Sequence, residues 1–165
     1  MFLELALVIV LTLTNGILAM AELAIVSARA TRLKVLAEKG SRGASMALTL
    51  QENPGKFLSA VQIGITLVGI LAGAVSGATL GLRLTNWLQA SGVPAQFAST
   101  IGVGLVVAGI TYLSLILGEL VPKQIALKKA ENVAVRVAPM MMVIARVTTP
   151  VVWLLDISGR VILSI

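Results

Sequence analysis

The stretch Gly118-Glu119-Leu120-Val121-Pro122-Lys123 closes an apolar run that begins at Phe97, and its reading decides the fold. A carboxylate, a proline and a lysine directly after some twenty apolar residues mark the end of a membrane-crossing helix better than the end of a soluble one, because a bilayer requires about 20 residues per span. Pro122 has no N–H for the carbonyl four residues back. The Gly118 C=O is therefore expected to be freed beside Glu119, and inside a membrane such a group must find another partner. A freed carbonyl next to a carboxylate is half of a cation site.

Composition supports this reading. With 58% hydrophobic and 12% charged residues, a 165-residue chain cannot bury its apolar side chains in one small core and still present a polar surface. There is no Cys and no His, so disulfides and the usual zinc ligands are absent. Any metal would be held by oxygen, which favours hard cations such as Mg²⁺, Ca²⁺ or Na⁺. The net charge of +6 does not point to nucleic acid: aromatics are only 4%, and the basic residues flank apolar runs as they do beside anionic headgroups. No nucleophile–base pair, phosphate loop or cofactor fingerprint appears, so an enzyme is not expected.

Working outward, the pattern predicts an all-α membrane protein with three transmembrane helices over about 2–27, 57–82 and 97–121. Residues 30–52 read as an amphipathic helix or helix pair on the membrane surface, with a break around Gly40 to Gly43. The outer loop carries the turn sequence Ser91-Gly92-Val93-Pro94. Residues 123–165 form a C-terminal belt, whose apolar part from Ala138 is interrupted by Pro139, Arg146, Pro150, Asp156 and Arg160; it is expected to be a bent hairpin, with a fourth span as the alternative. Ile162-Leu163-Ser164-Ile165 ends the chain without a polar tail, and a further soluble region is expected to follow.

Basic residues set the expected topology. Arg29, Arg32, Lys34, Lys39, Arg42 and Lys56 lie between the first two spans, Arg83 alone between the second and third, and Lys123, Lys128, Lys129 and Arg136 after the third. The positive-inside rule then puts the N-terminus outside and the Gly118–Lys123 corner on the cytoplasmic side of a cell membrane.

Each span carries one polar, small-residue face. Thr12, Asn15 and Glu22 share a stripe of the first; Ser59, Gln62, Thr66, Gly69, Gly73 and Ser76 alternate at three and four in the second; Thr111, Ser114 and Gly118 do so in the third, with Glu119 one step around. Facing one another, they would enclose a chamber of hydroxyls, amides and two carboxylates. The residue-by-residue alternatives are structural: Ser and Thr bonding their own helix, Asn15 and Gln62 acting as interhelical glue, Glu22 pairing with Arg29, Glu119 pairing with Lys123, and Arg146 neutralising Asp156. Gly69, Gly73, Gly77 and Gly81 at four-residue intervals predict a helix-packing face, within one chain or across a dimer.

The pair Asn15-Gly16, then Ala21-Glu22-Leu23-Ala24, Ser27-Ala28-Arg29, Glu52-Asn53-Pro54, Gln62-Ile63-Gly64-Ile65-Thr66 and the Gly118–Lys123 block together resemble the transmembrane domain of the CorC/CNNM family, the hemolysin-like proteins. The resemblance covers nearly the whole chain. It implies a homodimer of three-span protomers with a juxtamembrane belt, export of Mg²⁺ coupled to Na⁺ influx, and a cytoplasmic CBS-type module downstream. It also implies a metal site built from the Gly118 carbonyl and Glu119 with polar groups of the first two spans: Asn15, Thr66 and Gln62, with Glu22 as a second charge and Pro122 as the helix kink. Asn15 and Thr66 depart from the residues common there but still offer oxygen, whereas Ala19 and Ala21 stand where other members carry Ser and offer none. The rival expectation is a membrane anchor and dimerisation scaffold that transports nothing and serves a cytoplasmic sensor.

Overall fold

The computed structural model describes residues 2–163, with the side chains of Phe2, Ala78 and Leu163 excepted. Met1, Ser164 and Ile165, the last of them the tip of the expected belt, lie outside the described residues. Within that range the regular structure is helical throughout: α1 (Phe2–Ser27), α2 (Ala30–Glu38), α3 (Arg42–Glu52), α4 (Pro54–Val75), a π-helical turn (Ser76–Gly81), α5 (Leu82–Ala90), α6 (Ala95–Leu115), a second π-helical turn (Ile116–Leu120), α7 (Val121–Lys128), α8 (Ala130–Val147) and α9 (Thr149–Leu163). Three continuous helices are long and apolar enough to cross a membrane: Leu3–Ser27, Pro54–Ala90 and Ala95–Lys128. The second and third outrun the expected spans at both ends: Pro54 sits at the first helical position of the second, where its missing N–H costs nothing, and Leu, Gln and Lys carry both helices on past the apolar window at their C-terminal ends.

The helices form two compact units, one from residues 2–17 and 65–122, the other from 18–64 and 123–163. In the first, α5 and α6 make a tight antiparallel pair. Gly92 has φ +94, and its N–H bonds Gln89 O at 3.0 Å while Val93 N–H bonds Leu88 O at 3.1 Å. That is the Schellman termination, which favours glycine because a Cβ is strained at that φ. Close approach comes from Gly102, where a Cβ would sit 2.7 Å from the Thr85 amide nitrogen. Thr85 is buried and spends its hydroxyl on Gly81 O at 2.9 Å.

The glycine ladder does not pack as one stripe inside the chain. A Cβ on Gly81 would meet Val103, whereas one on Gly69, Gly73 or Gly77 meets nothing within 4 Å. The π-turn at Ser76–Gly81 uses i→i+5 bonds, so residues spaced by four fall out of line across it. Of the two places left open for this face, within the chain or across a dimer, the chain itself uses only Gly81 for a close contact among the described residues.

In the second unit the expected break after α2 is a Schellman turn at Gly40, φ +91, with Ser41 N–H on Leu36 O at 3.0 Å. Ser41 Oγ then accepts from the Ala44 N–H at 3.3 Å to start α3. The small side chains of Ala44, Ala47, Ala130, Ala134 and Ala138 are buried with Leu33, Leu50 and Met141 where α2, α3 and α8 pack. Gly43 lies directly under the Val135 backbone carbonyl. Gly43→Ala is therefore expected to force α3 and α8 apart at a cost of about 1–3 kcal/mol, read as a lowered midpoint in thermal unfolding in detergent.

Two polar ties complete this unit. Gln51 Nε2 donates to Ile25 O at 2.7 Å and to Ala28 O at 2.8 Å, satisfying carbonyls at the end of α1. Arg29 Nε donates to Glu131 Oε1 at 2.9 Å, with Arg32 at 3.8 Å. That hydrogen bond, more than any other influence, holds the Glu131 carboxyl below its ordinary range. Arg29 thus partners Glu131, in place of the Glu22 pairing considered above.

The C-terminal apolar stretch is a pair of helices bent by 59° around Thr148. One non-helical residue is too short to reverse the chain, so the expected hairpin is open. Pro139 lies inside α8, and Pro150 occupies the first turn of α9, where its missing N–H costs nothing. No ion pair joins Arg146 to Asp156 among the described residues.

Candidate functional site

All of the cavity described here belongs to the unit formed by residues 2–17 and 65–122. The expected kink at Pro122 takes an unexpected form. The helix does not break; it widens just before the proline, and Val121 N–H reaches the Ile116 carbonyl five residues back. One extra residue in that turn lets the chain pass Pro122 and continue as α7. Single π-turns inside α-helices occur often at functional sites.

The freed carbonyl is not bare. Asn15 Nδ2 donates to Gly118 O at 3.2 Å, so a side chain of α1 supplies the bond that Pro122 cannot. Two glycines let the backbones come this close. A Cβ on Gly16 would stand 2.8 Å from Leu117 O and 3.0 Å from the Pro122 ring; one on Gly118 would stand 3.3 Å from Thr12 O. One turn along, the Thr12 and Ser114 hydroxyls are 3.4 Å apart.

That bond commits the amide nitrogen of Asn15 and leaves its oxygen to be satisfied. Asn15 Oδ1 is buried and has no hydrogen-bond partner. An unmet buried acceptor costs about 1–3 kcal/mol, so this oxygen calls for a donor or a cation. Asn15 lines a cavity of about 220 Å³ together with Thr12, Gly69, Gly73, Ser76, Thr111, Ser114 and Glu119, between apolar walls of Val68, Ala72, Val107, Ile110 and Leu115. The first π-turn opens on it too, through Ser76, which is buried and bonds Gly73 O at 2.9 Å. Among the described residues, Glu119 is the one ionisable side chain lining the cavity.

Of the six expected metal residues, the structure brings three together: Asn15 and Glu119 on the cavity wall, and Gly118 through its carbonyl. Thr66 is exposed one turn from Gly69 and does not line the cavity; Gln62 and Glu22 belong to the other unit. No cluster of three acidic, His or Cys residues exists among the described residues. The cavity therefore offers one charge and several neutral oxygens, a set suited to a partly hydrated hard cation or to an ammonium group. The π-turns were not expected from the sequence. The signal for the second was present as a glycine four residues before a proline, a spacing that leaves a carbonyl to be absorbed by some local distortion.

Comparison with known proteins bears on this geometry. The profile of the "Cyclin M transmembrane N-terminal domain" matches residues 6–165. The chain is similar to the UPF0053 protein sll0260 of Synechocystis, with 51% identity over 163 residues, 99% of this chain and 36% of that protein. It is also similar to the polyamine export proteins of Haemophilus influenzae, with 34% identity over 93% of this chain and 35% of theirs, and of Escherichia coli, with 29% identity over 96% and 35%. The chain spans little more than a third of the length of these curated relatives.

Proposed function

The chain belongs to the family of the cyclin M transmembrane N-terminal domain, and from that premise we propose that it carries a cation across the membrane, with Mg²⁺ as cargo and Na⁺ as the exchanging ion. The observation that supports the reading is Asn15, which lines the same cavity as Glu119, bonds the Gly118 carbonyl through its amide nitrogen and keeps a buried oxygen without a partner among the described residues. In this reading Glu119 supplies charge, Asn15 Oδ1 and the Gly118 carbonyl supply neutral oxygens, and the Thr12 and Ser114 hydroxyls take the part that the sequence suggested for Thr66.

Mg²⁺ dehydrates reluctantly and keeps several waters when bound by only one or two carboxylates. A 220 Å³ cavity has room for them, since a single water needs about 10–15 Å³ on this measure. Moving a doubly charged ion outward against a negative interior costs about 4.6 kcal/mol per 100 mV. Export therefore requires a coupled gradient, and Na⁺ accepts the same oxygens. The orientation with the N-terminus outside, the homodimer and a cytoplasmic CBS-type module in the longer protein belong to the same proposal.

A second reading is favoured by the names of two relatives and by the apolar cavity walls: a polyamine, with an ammonium on Glu119 and its methylenes along Val68, Val107 and Ile110. Proteoliposomes loaded with Mg²⁺ or with spermidine separate the two. The primary reading expects Mg²⁺ movement that rises with an opposing Na⁺ gradient. Spermidine movement without Mg²⁺ movement establishes the second reading, and no movement of either leaves the anchor.

A further inference from the structure

A second site lies in the other unit, at the foot of α9. Thr149, Trp153, Asp156 and Arg160 fall at i, i+4, i+7 and i+11 and share one stripe. With Lys56 from the first turn of α4 they line a groove of about 260 Å³. None of the Lys56, Asp156 and Arg160 side chains makes a hydrogen bond or ion pair within the described residues. The rest of α9 is apolar and outward-facing: Val151, Leu154, Leu155, Val161 and Ile162 are all exposed.

Charges on such a helix cannot face hydrocarbon cheaply. Two observations argue for a place at the headgroup level instead. Lys56 stands two residues after Pro54, where the second span begins, and Trp153 is 62% exposed, as expected of an indole at the headgroup level. The groove therefore opens where lipid headgroups lie. Its chemistry is two cations and one carboxylate: an anion belongs between Lys56 and Arg160, whose guanidinium can hold a phosphate with two parallel bonds, and a hydrogen-bond donor belongs against Asp156.

We propose that this groove binds a phospholipid headgroup, phosphatidylethanolamine, with its phosphodiester between Lys56 and Arg160 and its ammonium on Asp156. Choline lipids share the phosphate but carry no N–H donor for Asp156. The site rests on the membrane placement of the chain and is independent of what the cavity around Glu119 transports.

The test is lipid retention by the purified chain, measured by native mass spectrometry after exchange into mixed phosphatidylethanolamine and phosphatidylcholine nanodiscs. Wild type is expected to keep phosphatidylethanolamine preferentially. Lys56→Gln with Arg160→Gln should weaken retention roughly thirtyfold, from the loss of two headgroup-facing charges, whereas Lys56→Arg with Arg160→Lys and the distant Arg146→Gln should retain the lipid. Asp156→Asn should keep a bound phospholipid and lose the preference. Circular dichroism and gel filtration confirm the fold of each variant, and the charge-keeping pair decides the matter if the glutamine pair does not fold. Equal retention of the two lipids by wild type, or loss of lipid in the charge-keeping pair, would overturn the proposal. So would displacement by soluble glycerophosphoethanolamine, which would show a site for a free phosphate ester.

Discussion

Glu119→Gln is expected to abolish cation flux through the reconstituted protein and to leave its fold intact. Glutamine matches glutamate in shape, so the π-turn at Ile116–Leu120, the Asn15 bond to Gly118 and the walls of the cavity persist. What disappears is the single ionisable group lining the cavity. Outer-shell partners of a metal are worth about 10–100-fold in affinity, and removing the only anionic ligand is expected to exceed that range. Glutamine keeps an acceptor oxygen at the same reach, so thermal stability should change little. Were Glu119 present only to tether the helix, the opposite pattern would be seen, with lower stability and undiminished flux.

The second large effect is expected at Asn15. Asn15→Leu removes the side-chain donor to the Gly118 carbonyl, and Pro122 has no N–H to take its place. A buried carbonyl left without a partner costs about 1–3 kcal/mol, so unfolding in detergent should begin at lower temperature. The same change deletes the buried Oδ1, so protection of the chain by added cation should vanish as well. The two losses are separable: Pro122→Ala restores an N–H and is expected to recover stability in the Asn15→Leu background without recovering cation protection. Recovery of both would mean that Asn15 only braces the carbonyl.

These effects converge on a corner whose chemistry was largely readable in the chain and whose shape was not. Glycine four residues before proline, with glutamate between, announces a carbonyl in search of a partner, and the polar stripe through Thr12 and Asn15 names the helix face that could answer it. The three spans and the Gly40 break follow from hydropathy and turn chemistry, which are local. The π-turns are different in kind. A widened turn exchanges regular i→i+4 bonds for i→i+5 bonds, and whether that exchange is favourable depends on what packs alongside, here Gly16 against Leu117 and Pro122. No window of sequence contains both partners.

The same cause explains the misplaced expectations. Thr66 shares a stripe with Gly69, Gly73 and Ser76 by spacing, yet the cavity runs from Val68 to Ser76 and stops short of it. The glycine ladder appeared to be one packing face, and the π-turn at Ser76–Gly81 splits it into a cavity wall at Gly69 and Gly73 and a helix contact at Gly81. Periodicity assigns residues to a face of an ideal helix; it does not report where the helix departs from ideal.

The most direct test of the central claim is anomalous scattering from crystals of the chain soaked in Mn²⁺, a divalent cation that shares the preference of Mg²⁺ for octahedral oxygen. The account predicts a peak in the cavity about 2.0–2.2 Å from the Glu119 carboxylate, with Asn15 Oδ1 or the Gly118 carbonyl contacting the ion directly or through water, and no such peak in Glu119→Gln. A saturated soak that leaves the cavity empty, or a peak bound away from Glu119, would contradict it.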